Sequence, residues 1–181
     1  MRRTILLGIH RFVGVAGLAI GAASANAQSN SLIDLGVGFG WGLNDSGQAI
    51  LSSGLYSNGV VTPLGMFGYA INASGQVAGQ TLVAEHAALY GNGTVTDLGV
   101  PPGGNPAAGN TEAFGINAGG QVVGLGLTGY LIEAFLYSSG TMMDLGSLPG
   151  ATSNSPTPII SEAYGINDSG QIVGISLSGV Y

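Results

Sequence analysis

The chain writes one hairpin four times. WGLNDSGQAI from Trp41, YAINASGQVAG from Tyr69, FGINAGGQVVG from Phe114 and YGINDSGQIVG from Tyr164 are variants of a single phrase. Self-similarity of this kind specifies a stack of small units, each burying its apolar faces against its neighbours. The shared asparagines, Asn44, Asn72, Asn117 and Asn167, are separated by 28, 45 and 50 residues. A second phrase alternates with the first: GLYSNGVVTPLG from Gly54, AALYGNGTVTDLG from Ala87 and AFLYSSGTMMDLG from Ala134. A full repeat therefore holds two hairpins, or four short strands.

The strand reading has a mechanism. In each first-type hairpin an aromatic and aliphatic segment runs into Asn-x-x-Gly, and a second apolar segment follows. Asparagine bonds the backbone of its own turn, and glycine takes the positive φ that closes it. The turn residues are Asn44 and Gly47, Asn72 and Gly75, Asn117 and Gly120, and Asn167 and Gly170. Asn58-Gly59 and Asn92-Gly93 are two-residue hairpin signals in the second phrase. Glycine is 34 of 181 residues, too frequent for helices outside the N-terminal apolar run. Strand side chains alternate, which puts Trp41, Tyr69, Phe114 and Tyr164 on one face with Leu43, Ile71, Ile116 and Ile166. Gly42, Ala70, Gly115 and Gly165 form the opposite, small face. The aromatic row reads as sheet packing rather than as a carbohydrate-stacking surface.

These motifs resemble the HAF-repeat family of bacterial extracellular repeat proteins. The likeness rests on GIN-x-SGQ-VVG, on the segment that includes His86-Ala87-Ala88, and on the Asp-Leu-Gly that closes the second hairpin. It implies an exported repeat protein. The expected fold is all-β: four-stranded antiparallel units in a small propeller-like array of about four blades, near 37–65, 66–99, 100–146 and 147–181. Asp34-Leu35-Gly36 is a fourth-strand motif with no repeat before it, and Tyr181 aligns with Tyr56 at the end of a third strand. Residues 31–36 are therefore expected to complete the last blade, with Leu32, Ile33 and Asp34 beside Gly179, Val180 and Tyr181. Closure of this kind removes exposed sheet edges. The alternative is an open or truncated β-repeat array.

Export has its own signature. Arg2 and Arg3 precede the apolar run Ile5 to Ile20, and Ala25-Asn26-Ala27 supplies small residues for cleavage. Residues 1–27 read as a signal peptide and 28–181 as one β-repeat domain, exported to the periplasm, the cell surface or beyond. Arg2, Arg3 and Arg11 are the only cations, so residues 28–181 contain neither lysine nor arginine and keep all 9 acids. Nucleic acid is excluded as a partner, because phosphate binding rests on displacing counterions with cations. An anionic membrane surface would repel the cleaved chain.

Other chemistry is sparse. Gly124, Gly126 and Gly129 match a dinucleotide fingerprint, but strand-like YLIEAFLY follows where a helix is required. His86 is the single histidine after residue 27, and Glu85 beside it points to the opposite strand face. No cysteine accompanies it, so zinc has no ligand set. Calcium is the one conceivable cofactor, yet the acids come singly, and Asp34, Asp97 and Asp144 read as turn or solvent residues. Sequons at Asn44, Asn72, Asn92 and Asn167 coincide with turns and read as turn chemistry. No catalytic, cofactor or metal residue is assigned. The expected function is a non-enzymatic exported scaffold binding an unidentified protein or glycan. The alternative is a carbohydrate-active lyase or hydrolase using a carboxylate pair at the propeller mouth.

Overall fold

A computed structural model describes residues 4–9, 31–107, 109–129, 131–148 and 160–177. All elements among them are strands. The first repeat contains β3 (Gly40–Leu43), β4 (Ala49–Leu51), β5 (Gly54–Ser57) and β6 (Val60–Thr62). The second contains β7 (Met66–Ile71), β8 (Val77–Thr81), β9 (Ala87–Gly91) and β10 (Thr94–Gly99). The third contains β11 (Glu112–Ile116), β12 (Val122–Thr128), β13 (Leu131–Ser138) and β14 (Thr141–Gly146). The fourth contributes β15 (Ile160–Ile166) and β16 (Ile172–Leu177). Ahead of them lie β1 (Thr4–Ile9) and β2 (Ser31–Val37).

Each of the first three repeats is an antiparallel meander in chain order. The fourth joins the sheet of the third through a parallel bridge between Ile132 and Ile160. The turns obey the expected chemistry. Gly47, Gly75, Gly120 and Gly170 have φ of 74°, 82°, 76° and 77°. Asn58-Gly59 and Asn92-Gly93 are positive at both positions, the mirror-image turn that matches strand twist.

The repeats stack with their first strands together: β3 lies against β7, β7 against β11, and β11 against β15. Three apolar clusters fill the spaces between sheets. Ile50 and Leu55 of the first repeat meet Leu64, Met66, Val77 and Ala88. Ala78 and Ala87 of the second meet Ala113, Val122 and Phe135 of the third. Val123 and Ala134 of the third meet Ala163 of the fourth. Consecutive residues of one strand thus serve opposite neighbours: Val77 faces back and Ala78 forward, Val122 back and Val123 forward. A strand buried on both faces reads as a continuous apolar run, which is why Val122-Val123 shows no alternation. The small residues allow close approach: a Cβ added to Gly42 would lie 3.4 Å from Ile71 Cγ2 of the next repeat. A Cβ added to Gly115 would lie 3.1 Å from the Gly165 Cα of the next repeat.

Residues 31–36 form most of β2, which has one strand partner among the described residues. β2 pairs in parallel with β1, Thr4 opposite Ser31 and Ile5 opposite Leu32. Gly179, Val180 and Tyr181 lie outside the described residues, as do the cleavage residues Ala25 and Ala27. Among the described residues no hydrogen bond joins the asparagines of the first and last repeats. No helix among the described residues is long and apolar enough to cross a membrane.

Candidate functional site: an aromatic row on an asparagine ladder

The shared asparagine is the hinge pin of every repeat. Asn72 Oδ1 accepts the backbone N–H groups of Ser74 at 3.2 Å and Gln76 at 2.9 Å. Its Nδ2 donates to Gln76 Oε1 at 2.8 Å and to the Asn117 carbonyl of the next repeat at 3.0 Å. Asn44 donates in the same way to the Asn72 carbonyl at 3.0 Å, and Asn117 to the Asn167 carbonyl at 3.1 Å. Turn chemistry was legible in the sequence. The use of the second amide proton to lock one repeat onto the next was not, because it needs the neighbour's position. Gln48, Gln76, Gln121 and Gln171, the last polar letter of the phrase, fix the amide orientation.

The aromatic residue before each asparagine sits at a bulge. β3 pairs Gly40 with Leu51 and Gly42 with Ile50, leaving Trp41 as the extra residue. Tyr69, Phe114 and Tyr164 are extra in the same sense in β7, β11 and β15. A bulge breaks the two-residue period and re-aims a side chain. The expected common face is therefore corrected. Ile71, Ile116 and Ile166 pack on the inter-repeat clusters, while the aromatics leave the sheets. They form a continuous row: Trp41 to Tyr69 at 5.9 Å between ring centroids, Tyr69 to Phe114 at 5.6 Å, Phe114 to Tyr164 at 5.9 Å. Phe39 extends the row beyond Trp41 at 5.9 Å.

The row lines a cavity of about 540 Å³ shared by Trp41, Phe67, Tyr69, Glu112, Phe114 and Tyr164, with Met66 and Leu51 beneath. Ligand pockets span roughly 300–1,000 Å³, so a small ligand fits. Trp41 and Tyr164 come from opposite ends of the array, yet both reach this space and remain 55% and 47% exposed. The rings thus pack on one another from sheet to sheet, as the row was read, and also border this cavity.

Two carboxylates border the row. Glu112 and Glu162 each stand two residues before their aromatic, in adjacent repeats. Burial raises the Glu112 carboxyl above the ordinary range, with added repulsion from Glu162 and Glu85. Burial also raises the Tyr69 hydroxyl, with a smaller push from Glu112. Tyr164 donates its hydroxyl to Glu162, and that bond is the main reason its ionisation is raised. The site thus offers apolar ring faces with a few hydrogen-bonding groups at their edges.

The remaining expectations fall elsewhere. Among the described residues no three of His, Cys, Asp and Glu gather in a way that could hold a metal ion. Asp97 and Asp144 accept the N–H groups of Gly99 at 2.8 Å and Gly146 at 2.7 Å, so both hold turns. His86 is a brace: its Nδ1 lies 3.0 Å from Asp97 and its Nε2 2.8 Å from the Pro106 carbonyl. Gly124 and Gly126 lie within β12 and Gly129 in the turn to β13, with no phosphate cradle or helix. Comparison with protein-family models, with curated proteins and with solved structures returns no match for this chain.

Proposed function

We propose that this chain is a non-enzymatic exported β-repeat scaffold of the HAF-repeat type, which binds a neutral glycan along its aromatic row. The carrying observation is the row itself: rings from all four repeats stand at 5.6–5.9 Å spacing along a cavity edge. Sugar rings stack on aromatic faces, and hydroxyl groups around a sugar suit the edge groups Glu112, Tyr69 and Glu162. A polyanionic glycan is disfavoured because residues 28–181 hold no lysine or arginine to meet it. Trp41 is the single tryptophan and so reports its own site. Titrating neutral oligosaccharides should shift its fluorescence to a saturating end point. Tyr164→Ala should weaken binding by about two- to tenfold, the loss expected for one stacked ring of roughly 0.5–1.5 kcal/mol. Absence of saturable binding across a neutral glycan panel overturns the reading.

A second reading, a carbohydrate-active enzyme, is favoured by one observation. Glu112 is held above the ordinary carboxylate range beside Glu162, as a general acid would be. Reducing-end release from a bound oligosaccharide, abolished in Glu112→Gln with binding retained, would select this reading over the scaffold.

A further inference from the structure

The interface between repeats is used three times among the described residues, and each end of the described array exposes part of it. At the trailing end, Val173 occupies the place of Ile50, Ala78 and Val123 in earlier repeats. Those three are 0% exposed, whereas Val173 is 68% exposed and Ile175 beside it 42%. Asn167 Nδ2 donates to Gln171 Oε1 at 2.7 Å, and no described residue supplies the following carbonyl that its three counterparts reach.

The leading end carries the complement. The Asn44 carbonyl accepts the Gly47 N–H at 3.0 Å and, among the described residues, no side-chain amide from ahead of it. Leu43 takes the place of Ile71, Ile116 and Ile166, which pack on the cluster shared with the preceding repeat, yet it is 54% exposed. Aspartate follows the asparagine only in the first and fourth repeats, as Asp45 and Asp168, with Ala73 and Ala118 between. Asp168 shows what that side chain does: its Oδ1 accepts the Ala118 N–H of the preceding repeat at 2.8 Å. Asp45 is exposed and carries the same acceptor with no such donor among the described residues. Ala49 behind it is already buried, so the leading end offers its inner hairpin rather than a whole sheet.

We infer that the leading hairpin of one copy docks on the trailing face of a second copy of this chain, continuing the stack head to tail. Leu43 seats over Gly165 and Val173, Asn167 Nδ2 donates to the Asn44 carbonyl, and the Asp168 N–H donates to the Asp45 carboxylate. A second copy is the occupant because the two unfilled halves match the interface the chain already builds between its own repeats. An interface that joins two different surfaces yields a closed ring if its rotation permits and a filament otherwise.

Sedimentation of the exported chain over a wide concentration range tests this. The expected result is a monomer that grows into larger species as concentration rises. Leu43→Asp and Val173→Asp, both at exposed positions, each leave the circular dichroism of the monomer unchanged and abolish growth. Mixing the two variants restores a 1:1 dimer and nothing larger, since one intact face of each kind remains. Asp45→Ala weakens assembly by about tenfold, the loss of one charge-assisted hydrogen bond. A monomer at every concentration overturns the inference. So does assembly that Leu43→Asp leaves intact, which would mean trailing faces pairing with each other, or a failure of the mixed variants to pair.

Discussion

At the residue scale the asparagine carries more than a turn. A turn residue alone would be replaceable by other turn formers at a cost of about 1 kcal/mol. Asn72 also satisfies the Asn117 carbonyl across the interface and is itself buried. Removing a buried partner leaves the other group without its bond, and that penalty adds to the lost turn. Asn72→Ala should therefore cost about 2–4 kcal/mol in chemical denaturation. Asn167→Ala, with the same local turn but no carbonyl beyond it among the described residues, should cost about 1 kcal/mol. Equal losses at the two sites would show that the ladder contributes nothing to stability.

At the element scale the second hairpin is tied to the loop that follows it. His86, at the entrance to β9, bridges Asp97 on β10 and the Pro106 carbonyl in the connection to β11. Both ring nitrogens face oxygen acceptors, so both bonds are made only by the imidazolium. The Pro106 carbonyl, with Asp97 and against partial desolvation, holds the ring above its ordinary range. The folded pKa exceeds the unfolded one, so this brace stabilises fully below the unfolded value of about 6.5. Its contribution is lost as pH rises through the folded value. Thermal melts of the unaltered chain and His86→Ala should therefore differ more near pH 5.5 than near pH 8.5. A difference independent of pH would leave His86 as packing only.

At the scale of the whole molecule, stability is a sum over interfaces between neighbours. The cluster joining the first two repeats contains Ile50, Leu55, Leu64, Met66 and Val77. Among the described residues the cluster joining the last two has a buried core of Val123, Ala134 and Ala163. Buried apolar area sets the strength of each junction, at roughly 25 cal/mol per Å². The array should open from the fourth repeat first. Hydrogen exchange in dilute solution, where copies do not meet, should show β15 and β16 less protected than β7 and β8. Protection of these strands should rise with concentration if copies stack on the trailing face.

The sequence by itself determined the hairpins, their turn residues and the all-β repeat architecture. All of these are local: an Asn-x-x-Gly turn and an apolar run carry their conformation within a few residues. Three things belonged to the tertiary structure alone. The bulge at Trp41, Tyr69, Phe114 and Tyr164 arises from register between strands, and one extra residue turned the aromatics out of the sheets into a shared cavity. The second amide bond of each asparagine, and the bridge at His86, needed partners from other repeats or loops. The parallel pairing of the 31–37 strand with β1 joins segments more than twenty residues apart, which no local motif encodes. A repeat motif encodes what each unit offers its neighbours; which edge meets which is decided only when the units are stacked in space.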